Sequence, residues 1–135
     1  MRTLLASPQY TIVRPGVGEL PEPGKLVTID YTTWLGGFDN GAPYDASKKG
    51  GKDTPLRAIV GNSPPSLVAG LDECLLSKMP VGEKRRVVIP PKLAGQGNVL
   101  GAMQVPAGET LYVEVRLRSI SLNTPGLSTI GLNII

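Results

Sequence analysis

Histidine is absent from all 135 residues. Serine–histidine–aspartate and cysteine–histidine nucleophilic chemistry is therefore excluded, along with most zinc coordination. Cysteine occurs once, at Cys74, so no disulfide can close within the chain. Cys74 lies in an apolar helical pattern and reads as a small buried hydrophobe rather than a nucleophile. Cations gather loosely at Lys48, Lys49, Lys52 and Arg57, and again at Lys84, Arg85 and Arg86. A net charge of +3, with no row of base-stacking rings beside either cluster, argues against nucleic acid as a partner. The Lys84–Arg86 run reads as the solvated face of a strand.

The elements that must position these side chains follow from hydrophobic period. Lys25 to Leu35 alternates, with Val27, Ile29, Tyr31 and Thr33 on one face and Thr28, Asp30 and Thr32 on the other. Trp34 falls on the outer parity, so it packs beneath a loop or faces a partner. Leu111 to Ile120 alternates cleanly, with Leu111, Val113, Val115 and Leu117 inward. Lys84 to Ile89 sends Arg85, Val87 and Ile89 one way and Lys84, Arg86 and Val88 the other; Pro90 and Pro91 stop it, because proline cannot donate to a ladder. Tyr10–Val13 and Leu56–Val60 read as further short strands, the first at an edge. Ser63-Pro64-Pro65 reads as a helix start with Ser63 as N-cap. Leu67, Val68, Leu71 and Leu75 then share one helical face, with Asp72 and Glu73 outward. Residues 36–54 and 91–108 read as long loops, the second poor in side-chain bulk. Four or five strands and one short helix imply an α+β fold, an antiparallel sheet wrapped on a helix.

The length suits one domain, and 41% hydrophobic residues with mean hydropathy near zero exclude a disordered chain. No apolar run is long enough to span a membrane. Met1–Ala6 is too short for a secretory signal, although a targeting peptide already removed would leave no trace. Residues 122–135 carry Leu122, Leu127, Ile130, Leu132, Ile134 and Ile135 and no charge, so this tail is expected to dock on the domain or on a partner. The expected organisation is an N-terminal extension over 1–23, a domain over 24–121 and the tail over 122–135.

Five segments, in order, resemble the FKBP-type peptidyl-prolyl isomerases. Val27-Thr28-Ile29-Asp30-Tyr31-Thr32 is similar to that family's V-x-V-x-Y-T, and Tyr44-Asp45-Ala46-Ser47 to its F-D-x-S. Leu67-Val68-Ala69-Gly70-Leu71-Asp72-Glu73 is similar to V-I-x-G-W-D-E. Met79 to Pro91 is similar to M-x-V-G-E-K-R-R-x-x-I-P-P, and Val105 to Leu111, running into Val113-Glu114-Val115, to I-P-P-x-x-T-L and F-D-V. Phe38-Asp39 is a rival for the F-D segment, but its distance to the next strand fits less well. The resemblance covers about residues 24–121.

The resemblance implies an FKBP-like fold and isomerisation of X-Pro bonds in client polypeptides, with no cofactor and no metal. It places Tyr31 and Tyr44 in the pocket wall and Asp45 at its rim, neither Tyr31 nor Asp45 acting as acid or base. Leu67 and Val68 would line the cleft, the Val68 N–H donating to substrate, and Val105 would be an aliphatic contact. Leu71, Leu56 and Val113 stand where the family usually has aromatic rings, and the loop tyrosine expected after Pro91 is missing. Each aromatic buries on the order of 150–250 Å², so the cleft should be wider, shallower or collapsed, and activity reduced or absent. The plainer readings are a turn-capping carboxylate for Asp45, a satisfied core tyrosine for Tyr31, and plain core for Leu56, Leu71 and Val113. The alternative to an isomerase is a binding or structural subunit of a larger assembly, docked through the tail and the Trp34 region. Trimmed pockets of this style occur in plastid-lumen members of the family, so cytoplasm and plastid lumen are the compartments to consider.

Overall fold

A computed structural model describes residues 8–61, 67–94, 99–100, 103–104 and 107–121. The principal sheet runs in the order β1 (Gln9–Arg14), β7 (Lys84–Ile89), β10 (Leu111–Ile120), β2 (Leu26–Leu35) and β3 (Asp45–Ala46), with β6 (Leu56–Ile59) also paired to β2. All pairings are antiparallel. The expected edge strand is β1. Two small hairpins, β4 (Lys48–Lys49) with β5 (Lys52–Asp53) and β8 (Val99–Leu100) with β9 (Met103–Gln104), fall inside stretches that read as loops. Two-residue strands leave no alternating pattern to detect.

The alternation sets the core. Val27, Ile29, Tyr31 and Thr33 of β2, Val87 and Ile89 of β7, and Leu111, Val113, Val115 and Leu117 of β10 are all buried. They pack on helix α1 (Ala69–Leu76), whose Leu71, Cys74 and Leu75 are fully buried. Gly70 lets that helix approach, since a Cβ there would lie 2.5 Å from Ile89 Cγ2. Helix and sheet give the α+β class expected.

The N-cap of α1 is Val68, with no side-chain capping bond; the expected start at Ser63 lies outside the described residues. Three expectations are corrected. Asp72 is buried rather than outward, and both carboxylate oxygens accept from the Gly61 N–H, at 3.0 and 3.3 Å. Burial pushes its carboxyl above the usual range and that hydrogen bond opposes the shift. A second short helix, α2 (Pro91–Ala94), follows the double proline, its Leu93 and Ala94 N–H groups donating to Pro90 O.

The third correction is the Lys84–Arg86 run, expected as a solvated face: Arg85 is 2% exposed. Its Nε donates to Glu83 Oε2 at 2.6 Å. Nη1 donates to Cys74 O at 3.0 Å, and Nη2 to Ser77 O and Lys78 O at 3.0 and 3.1 Å. Helix α1 has no basic residue in its last turn, and its terminal carbonyls need donors. Arg85 supplies them from the neighbouring strand. The parity was legible, but period alone does not show that a cation can face inward when a helix end waits there.

Candidate functional site

Strand β2 holds Tyr31 pointing into the core, and β3 lies against it with Thr33 opposite Asp45. The Tyr31 hydroxyl donates to Asp45 Oδ2 at 2.8 Å, and both residues are buried. Ser47 locks the pairing: its Oγ accepts from the Tyr31 N–H at 3.1 Å, and its N–H donates to Tyr31 O at 2.9 Å. Ser47 was not among the expected site residues, although it is the last position of the F-D-x-S segment. Asp39, the rival, is exposed and ion-paired to Arg86.

Burial, reinforced by the hydrogen bond to Asp45 and then by its charge, raises the Tyr31 hydroxyl well above the ordinary tyrosine value of 10.0. The folded state therefore keeps this proton at pH values where the unfolded chain releases it. Stability from this group is complete below about pH 10 and is lost as pH rises beyond it, by about 1.4 kcal/mol per unit. Urea unfolding at pH 9 and pH 11 should show the fall, and Tyr31→Phe should reduce it. An identical pH slope in the variant would contradict the assignment.

The remaining expected residues divide into two groups. Leu67, Val68, Leu71 and Val113 join Tyr31 in one core cluster and are 1% exposed or less; Leu56, opposite Ile29, packs at its margin. Val68 O accepts from Leu71 and Asp72, while the Val68 N–H precedes the first helical hydrogen bond. Tyr44 is held apart from this cluster. Its N–H donates to Thr33 O at 2.7 Å, and with Pro43, Asp45, Ala46 and Lys48 it lines a surface recess of about 270 Å³. Val105 and the tail over 122–135 lie outside the described residues.

Trp34 packs beneath a loop, one of the two alternatives that its outer parity left open. Phe38 meets its ring edge-on at 6.0 Å and Arg86 lies 5.6 Å from its centre, leaving 8% exposed. Little of it remains for a partner. Among the described residues no group of three or more potential ligands is placed to hold a metal, and no helix is long and apolar enough to cross a membrane.

Known proteins match most of this chain. A family model described as FKBP-type peptidyl-prolyl cis-trans isomerase matches residues 18–118. "FK506-binding protein 1" of Dictyostelium discoideum is 30% identical over 109 residues, covering 81% of this chain and 94% of that protein. "Photosynthetic NDH subunit of lumenal location 4, chloroplastic" of Arabidopsis thaliana is 32% identical over 123 residues, 84% of this chain and 52% of that protein. Among solved structures, FkpA from Escherichia coli superposes with a TM-score of 0.65 at 30% identity, over 84% of this chain and 48% of that one. This chain thus spans about half of the last two. The family model spans most of the chain and the Dictyostelium relative is matched over nearly its whole length, and the chain belongs to the FKBP-type peptidyl-prolyl cis-trans isomerase family.

Proposed function

We propose that the chain is a prolyl isomerase of low activity, acting on X-Pro bonds of client polypeptides. The observation that carries this reading is the buried hydrogen bond from Tyr31 to Asp45 beside an apolar cluster. Rotation about an amide faces a barrier of about 18–20 kcal/mol, because resonance must be lost. The twisted amide is less dipolar than the planar one, so an apolar, water-poor surface favours it without acid, base or metal. In this reading Tyr31 and Asp45 form the polar rim, Tyr44 the outer wall, and Leu56, Leu67, Leu71, Val105 and Val113 the apolar lining. The Val68 N–H holds a substrate carbonyl. Aliphatic side chains at Leu56, Leu71 and Val113 remove ring contacts worth about 0.5–1.5 kcal/mol each. A deficit of about tenfold or more in kcat/KM follows.

A proline-isomerisation assay on an X-Pro peptide tests this. The expected rate is at least about tenfold below that of the Dictyostelium relative, and Asp45→Ala lowers it further. A full-strength rate would overturn the low-activity reading. A residual rate indifferent to Asp45→Ala would overturn the placement of the site.

A second reading, a non-catalytic subunit of a larger assembly, is favoured by the similarity to the Arabidopsis protein named as a photosynthetic NDH subunit of lumenal location. The near-complete burial of Leu67, Val68, Leu71 and Val113 also supports it. Under this reading the plastid lumen is the compartment, and the tail over 122–135 is the docking element. No rate above the uncatalysed one, with co-purification in a large complex that is lost when the tail is deleted, would select it.

A further inference from the structure

The sheet face turned away from helix α1 carries an unusual row of charge. Arg14 stands opposite Lys84, Lys84 opposite Arg116, and Arg116 opposite Asp30, across β1, β7, β10 and β2. Directly opposed side chains share one face, and like charges placed so are destabilising. Three cations nevertheless occupy consecutive places. The first is put there by a bulge. The β1 register passes from Ile12 opposite Arg85 to Arg14 opposite Lys84, leaving Val13 as the extra residue. Without it, Arg14 would follow Ile12 onto the inner side; bulges re-aim side chains in this way.

The row borders a groove of about 320 Å³ whose charged lining is Arg14, Lys48, Lys84 and Arg116 against Asp30 and Glu114. The two carboxylates are engaged: Glu114 lies 3.6 Å from Lys84, and Asp30 3.3 Å from Arg116. Among the described residues Arg14 and Lys48 meet no carboxylate, and both are exposed. Uncompensated charge therefore sits at the two ends, with a near-neutral middle. Three strand spacings separate β1 from β2, roughly 14 Å, which an extended segment covers in about four residues.

We propose that this groove binds an acidic polypeptide segment, laid across the strands with carboxylates at the Arg14 and Lys48 ends. A nucleic-acid backbone fits less well, because Asp30 and Glu114 sit under its path and Tyr31, the only lining ring among the described residues, has its hydroxyl committed to Asp45. A lipid surface fits less well because the groove is edged by charge rather than by apolar side chains. The groove lies behind the Tyr31 hydroxyl, on the other face of the sheet, and does not depend on isomerase activity.

Fluorescence anisotropy of a labelled hexaglutamate peptide, at low and raised salt, tests the proposal, with hexaglutamine as the neutral control. Hexaglutamate should bind saturably and salt-sensitively, and hexaglutamine should not. The double variant Arg14→Gln, Lys84→Gln should weaken binding by about tenfold or more, since it removes complementary charge at the contact. Arg57→Gln with Lys92→Gln makes the same change in net charge elsewhere and should weaken it by less than about threefold. Stability of the groove variant should be unchanged or raised, because the like-charge row is relieved and the half-buried Lys84–Glu114 pair, at 3.6 Å, contributes little. Equal losses in the two double variants, or no saturable binding by the unaltered chain, would overturn the proposal. So would an oligonucleotide or an anionic vesicle that binds more tightly than hexaglutamate and responds to the same groove variant.

Discussion

Arg85→Met is expected to lower the unfolding free energy by about 3–5 kcal/mol, the largest single loss in the chain. Methionine keeps most of the packing of the aliphatic stem of arginine, so the loss is chiefly of charge and hydrogen bonding. The variant leaves Glu83, 4% exposed, without its cation. It also strips donors from the carbonyls of Cys74, Ser77 and Lys78, where α1 ends. An uncompensated buried carboxylate is the costlier part. Adding Glu83→Gln to Arg85→Met should therefore recover about 1–2 kcal/mol, while the donors to Ser77 O and Lys78 O stay lost and Cys74 O keeps only the Ser77 N–H. Urea unfolding of the two variants measures both values. A loss under about 1 kcal/mol for Arg85→Met would show that water reaches this cluster.

Gly16→Ala should cost about 1–3 kcal/mol, through backbone rather than side-chain crowding. A Cβ at Gly16 would lie 2.4 Å from Glu83 N, 2.6 Å from Val81 O and 2.9 Å from Gly82 C. None of these atoms belongs to a side chain that can rotate away. Gly16 N also donates to Glu83 Oε1 at 3.4 Å, and the next turn is tied by Gly18 N to Val81 O at 3.1 Å. The methyl would therefore push on the turn that holds Glu83 against Arg85. Opposing this is the smaller entropy of the unfolded chain, about 0.4–1 kcal/mol in favour of alanine. The crowding outweighs it. Unchanged thermal unfolding would mean that residues 16–19 lift away from the turn at little cost. Because both changes act on one cluster, Gly16→Ala combined with Arg85→Met should cost less than the sum of the two.

Much of the fold was legible because burial on one side of a strand writes a period of two into the chain. Val27 to Thr33 and Leu111 to Leu117 carry it, and each inward residue is buried. Resemblance alone put Tyr31 and Asp45 in one pocket, and their hydrogen bond was not legible at all. The two residues are 14 apart in sequence, and nothing in spacing or composition brings them within hydrogen-bond reach. Ser47 was missed for the same reason, since its role is to pair with the backbone of a distant strand.

Charge is where sequence reading failed. Arg85 and Asp72 look like surface residues, because isolated charges belong in water. Each is buried against backbone groups left open elsewhere: helix-end carbonyls for Arg85, the Gly61 N–H for Asp72. Such vacancies exist only once helix and sheet are packed. The cross-strand row of Arg14, Lys84 and Arg116 is equally invisible, since it depends on a one-residue bulge and on three strands meeting in register.

The sequence by itself thus determined the strand faces, the class of fold, the family and that these residues hold no histidine and no internal disulfide. Those properties are local, or are carried by residue type. Tertiary structure alone decided which charges are buried, which hydroxyl meets which carboxylate, and where unbalanced cations line up. Those depend on contacts between segments far apart in the chain, whose register no local pattern encodes.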